Sequence, residues 1–263
     1  MNVIDFHVHI FPDKIAQKAA NAVGKFYDIP MAMDGSLSTA IREMDRAGIG
    51  RFVAHSVATT PAQVHSINKF IMDAYAQYPE RIIPFAAMHP DAENIPQLID
   101  EIVAAGFKGI KIHPDIQGFK IDDPHVLEMI SAIAGRLPLL IHTGDYRYDN
   151  SGPARMTHVM ELFPDLIAIC AHLGDYSEWE NAAVSSLPSN PHVYVDSSSS
   201  LFAVSPARAA EIIRTYGVDK VMFGTDYPMW CPYEELERFD ALPLTAEEKE
   251  MILHKNAERL LGL

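Results

Sequence analysis

Short apolar runs bounded by turn residues alternate along the whole chain with segments whose apolar residues recur at helical spacing. Gly48, Gly106 and Gly217 stand where predicted helices end. Thr245 and Glu248 form the capping-box pattern that begins a last helix. The alternation predicts strands at residues 3–6, 51–57, 81–88, 109–113, 139–142, 166–172, 192–196 and 221–226.

The spacing of these strands predicts an α/β fold of the (β/α)₈ TIM-barrel type. Strand ends recur roughly every 29 residues, about the length of one strand–helix unit, and 263 residues suit a single barrel domain spanning 1–263. An open doubly wound sheet is the alternative, but no Gly-x-Gly-x-x-Gly motif follows the first strand. Residues 11–35 lack a clean periodicity, so we expect a loop or cap over the active site there.

Polar residues stand at the carboxyl ends of five predicted strands, which is where barrel enzymes place their active sites. Their neighbours along the strands are apolar, so the polar side chains are expected to face inward together. The set comprises His7 and His9 on the first strand, Lys111 and His113 on the fourth, His142 on the fifth, His172 on the sixth and Asp226 on the eighth. We expect the other histidines, His55 among them, to be structural or surface residues.

Imidazole and carboxylate ligands indicate one divalent metal, most readily Zn²⁺ with Mn²⁺ as an alternative. His7, His9, His142 and Asp226 are the predicted ligands. A metal-bound water would supply the nucleophile, and Asp226 could pass its proton to the leaving group. His172 is the predicted catalytic base, because the pKa of an unperturbed imidazole lies close to neutral pH.

Substrate-binding roles are expected for four further residues. Lys111 and His113 share a strand face and would hold substrate oxygens, although Lys111 could instead carry a carbamate bridging a second metal or pair with Asp5. Arg147 follows the strand of His142 and could clamp an anionic group, or lie in a solvated loop. Trp230, beyond the last strand, could form an aromatic wall.

Composition excludes several classes of partner. Lys and Arg number 21 against 35 Asp and Glu, a formal net charge of −14 that disfavours nucleic acid. The only cysteines, Cys170 and Cys231, do not form a disulfide framework, and no apolar run approaches the length of a membrane span. We expect a cytoplasmic protein with a small-molecule substrate and no membrane partner; a homo-oligomer is left open.

Several short motifs, taken together, resemble the amidohydrolase superfamily. More narrowly, the chain is similar to the amidohydrolase-2 group, which includes aminocarboxymuconate-semialdehyde decarboxylase. The resemblance implies a distorted barrel with one divalent metal held by His7, His9, His142 and Asp226, and a catalytic His172. The motifs are His7-Val-His9, Lys111-Ile-His113-Pro, Ile141-His142-Thr-Gly144, Ala171-His172-Leu-Gly174, Gly224-Thr-Asp226-Tyr-Pro228 and the closing 256–262 segment.

The resemblance leaves the reaction open between hydrolysis and decarboxylation. The chain is short for the decarboxylases of this group, and its Lys111-x-His113-Pro motif is like that of the compact hydrolase-like members. We therefore expect a hydrolase of a small carboxylate-bearing amide, ester or lactone. The alternative is a non-oxidative decarboxylase of an aromatic or unsaturated acid on the same metal site. A metal-free lactonase and a non-catalytic barrel scaffold are further alternatives.

Overall fold

Eight parallel strands form the centre of the molecule. The computed structural model describes residues 2–263. Each strand pairs with the next one in sequence, so the sheet order follows the chain order. The strands are β1 (Ile4–His9), β2 (Arg51–His55), β3 (Ile82–Ala87), β4 (Gly109–Ile112), β5 (Leu139–Ile141), β6 (Ala168–Cys170), β7 (Val193–Asp196) and β8 (Val221–Met222).

The first strand and the segment that follows the last one close the sheet into a barrel. The Phe6 N–H donates to the Phe223 carbonyl at 2.8 Å, and the His9 N–H donates to the Tyr227 carbonyl at 2.8 Å. Val8 and Tyr227 form a parallel bridge along the same seam. Because all strands run in one direction, their carboxyl ends meet at one end of the barrel. The predicted (β/α)₈ barrel is confirmed.

Helices cover the outside of this barrel, and local signals fix several of their ends. The N-cap Ser36 Oγ accepts from the Thr39 N–H at 3.2 Å, and Gly48 ends the same helix at a φ of 73°. The predicted capping box is present, with Thr245 N–H to Glu248 Oε2 at 2.7 Å and Glu248 N–H to Thr245 Oγ1 at 3.1 Å. No helix within residues 2–263 is long and apolar enough to cross a membrane. The helices are α1 (Ala16–Tyr27), α2 (Leu37–Ala47), α3 (Val64–Gln77), α4 (Ile95–Ala105), α5 (Pro114–Gln117), α6 (Pro124–Ile133), α7 (Pro153–Leu162), α8 (Trp179–Ala183), α9 (Pro206–Tyr216), α10 (Pro232–Asp240), α11 (Ala246–Glu250) and α12 (Asn256–Leu261), the last two joined by a π-helical turn at Met251–Lys255.

The segment 11–35 contains the helix α1, which the hydrophobic pattern did not predict. The buried positions of α1 are Ala16, Ala20 and Gly24, a stripe of small residues four apart. Such a stripe lacks the large apolar side chains that indicate the buried face of a helix in a sequence. A Cβ at Gly24 would lie 2.7 Å from the Ile29 carbonyl oxygen, so the small residue lets the helix approach the chain that follows it.

Two layers of apolar side chains fill the molecule. One lies between the strands and the helices, and the other fills the barrel interior beneath the carboxyl ends of the strands. In the interior, Phe6 and Phe85 pack edge to face with ring centroids 5.7 Å apart. Gly109 makes room for this pair, because a Cβ there would lie 2.4 Å from the Phe85 ring. The packed interior leaves only the upper end of the barrel for polar side chains.

Candidate active site

His7, His9 and Asp226 meet at the carboxyl end of the barrel. The Nε2 atoms of His7 and His9 each lie 3.5 Å from Asp226 Oδ1. Asp226 has a φ of 61°, in the left-handed region that Asp tolerates better than most residues, and its N–H donates to the His7 carbonyl at 3.0 Å. This turn directs the carboxylate back over β1, so three of the four predicted metal ligands come together.

Asp196, at the end of β7, orients the His7 ring. Its Oδ2 accepts a hydrogen bond from His7 Nδ1 at 2.9 Å, which leaves the lone pair on Nε2 facing Asp226. Burial lowers the pKa of His7 to about 4, so the ring is neutral at pH 7. Burial opposes ionisation of Asp196, but its electrostatic interaction and hydrogen bond with the His7 ring, together with a hydrogen bond from Ser198, hold its pKa at about 2.

Asp226 is held from its other side by the segment after β7. Ser199 Oγ donates to Asp226 Oδ2 at 2.5 Å, and Trp230 Nε1 donates to Ser199 Oγ at 2.8 Å. Burial would raise the pKa of Asp226, but interactions with His7 and His9 hold it well below its usual range. Trp230, a predicted substrate residue, therefore supports the carboxylate through Ser199 and stacks on Phe202 with ring centroids 4.5 Å apart.

A hydrogen bond joins the rings of His172 and His142, and its direction follows from the neighbouring groups. The Ser198 carbonyl lies 3.0 Å from His172 Nδ1 and can only accept, so this nitrogen carries the hydrogen. His172 Nε2 then accepts from His142 Nδ1 at 2.8 Å. The ligand atoms of His7, His172 and Asp226 all lie within 4.8 Å of one another, whereas His142 groups with His113 and Asp115. The assignment of His142 as a metal ligand stays a prediction.

Tyr27, from the end of α1, continues this chain of hydrogen bonds. The Ile116 N–H donates to His113 Nδ1 at 3.3 Å, so His113 Nε2 carries the hydrogen and donates to the Tyr27 hydroxyl at 2.7 Å. The hydroxyl in turn donates to His142 Nε2 at 3.3 Å. The His113 and His142 rings stack with centroids 3.8 Å apart, and burial holds the pKa of both well below 6.5. The segment 11–35 thus contacts the histidine cluster directly.

Two predicted substrate residues have other partners. Lys111 is fully buried, and its Nζ lies 3.3 Å from His7 Nε2; burial lowers its pKa to about 8. Arg147 forms a two-point ion pair with Asp145, at 2.9 Å and 2.6 Å, and its Nη1 donates to the Phe26 carbonyl at 2.6 Å. Neither lines the central cavity, whereas His113 does. The carbamate on Lys111 stays an untested alternative.

A cavity of about 480 Å³ opens above the cluster. At its floor are His7, His9, His142, His172 and Asp226. Its walls are mainly apolar and come from the segment 11–35, from α3 and from the loop after β8. The apolar lining residues include Phe11, Ile15, Val23, Phe26, Ile67, Phe70 and Met229.

Sequence reasoning missed several residues of the site besides Ser199. Asp196 ends β7 and His55 ends β2, so the strand-end rule that found the other residues applied to both. Asp115 follows His113 by two positions, and its Oδ2 lies 3.5 Å from His142 Nε2. Ser198 belongs to a serine run with no recognisable motif. Tyr27 carries no signal, because only the folded position of α1 brings it to the cluster.

The side chains present fit a divalent cation. Neutral imidazoles and an ionised carboxylate are the donors that Zn²⁺ and Mn²⁺ accept. The His55 ring lies against His7 and His9, with centroids 4.8 Å and 4.4 Å away, and neither of its nitrogens has a hydrogen-bond partner among residues 2–263. A cation bound to His7 Nε2 would displace Lys111 Nζ, and the lowered pKa of that lysine reduces the cost.

Solved structures with the same fold cover the whole chain. An uncharacterised TIM-barrel protein from Bordetella bronchiseptica is 22% identical with a TM-score of 0.80, over 100% of this chain and 99% of that one. The 2,6-dihydroxybenzoate decarboxylase from Rhizobium is 16% identical with a TM-score of 0.75, over 100% and 99%. A dihydroxybenzoic acid decarboxylase from Polaromonas, solved with bound manganese and the inhibitor 2-nitroresorcinol, is 18% identical with a TM-score of 0.74, over 100% and 98%.

A family model for the amidohydrolases matches nearly the whole chain, from residue 4 to residue 263. The match includes every strand of the barrel and all of the strand-end residues that form the cluster. It agrees with the resemblance carried by the histidine motifs. The chain belongs to the amidohydrolase-2 family of the amidohydrolase superfamily of enzymes.

Proposed function

We propose that the protein is a metal-dependent, non-oxidative decarboxylase of a small aromatic or unsaturated monocarboxylic acid. The observation that carries this proposal is the division of the cavity into a polar floor and apolar walls. A planar ring or conjugated chain suits the walls, and a carboxylate suits the floor. No lysine or arginine is among the cavity-lining residues in the described part of the chain, which argues against a second anionic group on the substrate.

The names of the similar structures support decarboxylation over hydrolysis. Several are decarboxylases of hydroxybenzoic acids or of 5-carboxyvanillate, and three of these were solved with bound manganese and an aromatic ligand. These enzymes also support manganese as a candidate beside zinc. The hydrolase interpretation of the sequence rests on chain length and on the Lys111-x-His113-Pro motif, and of that motif only His113 lines the cavity.

The residues have distinct proposed roles. We assign His7, His9, His142 and Asp226 as ligands of the divalent cation, which would bind and orient the substrate carboxylate. His142 would give up its hydrogen bond with His172 or with Tyr27 to do so. Loss of CO₂ requires a proton at the carbon that carried the carboxylate. His172 and Asp226 line the cavity, and we assign them to hold or move that proton. His113 lines the cavity and would contact substrate oxygens. The walls orient the ring and exclude water.

Hydrolysis of a carboxylate-bearing ester, amide or lactone is the second candidate. It is favoured by Asp226, because Oδ1 faces two imidazoles while Ser199 holds Oδ2. A carboxylate in that position can accept a proton from an attacking water and return it to a leaving group.

For the test, the protein is purified without chelator and supplied with Mn²⁺. It is then incubated with a panel of hydroxybenzoic and unsaturated acids that carry ¹³C in the carboxyl group. Mass spectrometry of the headspace measures ¹³CO₂, and a reaction in D₂O places deuterium at the vacated carbon. We expect release from at least one acid. No CO₂ from any acid, with turnover of esters or lactones by the same preparation, would replace this proposal with the hydrolase.

Two variants test the assigned roles. His142→Ala should lose both metal and turnover, whereas His172→Asn should keep the metal and lose about 10²–10⁴-fold in kcat, the usual contribution of a general acid or base. His158→Asn is the control, since that imidazole is half exposed on α7. Metal retained at full occupancy in His142→Ala would contradict the ligand assignment.

A further inference from the structure

His55 is a buried histidine at the upper end of β2 that the proposed function does not use. Its side chain shares a strand face with Val53, which packs in the barrel interior, so the ring faces inward. In the parallel sheet, His55 pairs in register with His9. It therefore stands beside the predicted ligands of β1 at the same end of the barrel.

The nitrogens of His55 have no visible partner. The residue is 0% exposed, and neither Nδ1 nor Nε2 forms a hydrogen bond within residues 2–263. A buried donor or acceptor that stays unpaired is unfavourable, and buried histidines normally satisfy at least one nitrogen. The edge-to-face contacts with His7 and His9 are weak substitutes for a hydrogen bond. A purely structural histidine would not be expected to lack partners in this way.

The surroundings of His55 are those of a metal ligand. The ligand atoms of His7, His9 and His55 all lie within 4.8 Å of one another. His7 Nδ1 is engaged by Asp196, so Nε2, which faces Asp226 and contacts Lys111 Nζ at 3.3 Å, is the nitrogen of His7 that a cation would take. A neutral imidazole with an uncommitted lone pair supplies the donor that a divalent cation takes most readily.

We infer that His55 is an additional ligand of the divalent cation held by His7, His9 and Asp226. The inference rests on the proposed metal site, and it extends the ligand set to a strand that the sequence motifs do not include. Binding would give one unpaired nitrogen of His55 a partner. His55 should therefore destabilise the metal-free folded protein and stabilise the metal-loaded one. A structural histidine would behave in the opposite way.

The experiment compares His55→Leu with wild-type protein in metal-free and Mn²⁺-loaded form. Equilibrium dialysis measures affinity for Mn²⁺, and absorption of the Co²⁺-substituted protein reports the donor atoms around the cation. His55→Gln is a second variant that keeps polarity if the leucine variant does not fold. His89→Gln is the matched control, because His89 is also a buried histidine after a barrel strand but its Nδ1 accepts from the Asp91 N–H at 3.1 Å.

We expect affinity for Mn²⁺ to fall tenfold or more in both His55 variants and to stay within twofold of wild type in His89→Gln. The Co²⁺ spectrum should change in the His55 variants alone. The metal-free unfolding temperature of His55→Leu should equal or exceed that of wild type, while the rise on adding Mn²⁺ should shrink. These results would support the inference.

Unchanged Mn²⁺ affinity and Co²⁺ spectrum in the His55 variants would overturn it, as would an equal loss of metal in His89→Gln. A lower metal-free unfolding temperature with unchanged affinity would assign His55 a structural role. Failure of the wild-type protein to bind Mn²⁺, Zn²⁺ or Co²⁺ at all would instead refute the metal site of the proposed function. The two failures are therefore distinguishable.

Discussion

Arg147 joins the loop after β5 to the end of α1, and its removal should destabilise the protein measurably. Its guanidinium binds both oxygens of Asp145, donates to the Phe26 carbonyl and lies 4.9 Å from the Phe26 ring centroid. The Asp145 carboxylate is 0% exposed and the Arg147 side chain 26%. Arg147→Ala therefore leaves a buried carboxylate without its cation.

The expected loss follows from this burial. Removing one partner of a fully buried pair costs about 3–5 kcal/mol, and the partial exposure of Arg147 lowers the figure to roughly 2–4 kcal/mol. Arg147→Lys keeps the charge but loses the two-point geometry, so it should fall in between. The double variant Arg147→Ala/Asp145→Asn should recover part of the loss, because the unpaired charge is gone.

Urea unfolding of the metal-free protein, followed by circular dichroism, measures these changes. The control is Arg208→Ala. Arg208 pairs on the surface with Glu180, which is 62% exposed, so its loss should cost clearly less than that of Arg147. A loss below about 0.5 kcal/mol for Arg147→Ala, a loss no larger than that of the control, or no coupling with Asp145 would refute the reasoning.

Two further predictions follow from buried titratable groups. Burial raises the pKa of Asp175 from 3.8 to about 7, so the native state favours the protonated acid and its stability falls as pH rises from about 4 to 7. Asp175→Asn should remove the part of this fall that Asp175 causes, gaining roughly 2–4 kcal/mol relative to wild type across that window in urea titrations at stepped pH. The pH dependence due to other buried acids, such as Asp115 with a pKa raised to about 7, should remain, and a pH dependence parallel to that of wild type would contradict the prediction. Burial also raises the pKa of Cys170 to about 12, whereas Cys231 is partly exposed. Ellman's reagent should therefore modify one thiol per native chain quickly and the second only on unfolding, and Cys231→Ser should abolish the fast phase.

The barrel was predictable because the sequence pattern that indicates a strand followed by a helix is repeated along the chain. Each strand–helix unit carries its own apolar pattern and turn signals, so an error in one unit does not change the fold. The helix α1 was not predictable in this way, since its buried stripe of Ala16, Ala20 and Gly24 resembles a solvated segment. Its position depends on contacts with distant residues, such as Tyr27 with His113.

The site was predictable to the extent that residue type and strand position specify it. His7, His9 and Asp226 meet as expected, because carboxyl ends of parallel strands converge. The role of Arg147 was not predictable, since its pairing with Asp145 and its contact with Phe26 depend on side-chain packing. Hydrogen-bond direction among the rings likewise requires the carbonyl of Ser198 and the hydroxyl of Tyr27 in their folded positions.

The seam between β1 and the segment after β8 makes the two ends of the chain depend on each other. His7 and Asp226 are 219 positions apart in the sequence, yet the Asp226 N–H donates to the His7 carbonyl at 3.0 Å and their side chains face the same point. Such a pair closes a loop that contains every other strand–helix unit, so we expect it to form late in folding. The cluster and the closed barrel therefore depend on each other, and we expect a cation bound to residues from both sides of this seam to slow reopening of the barrel.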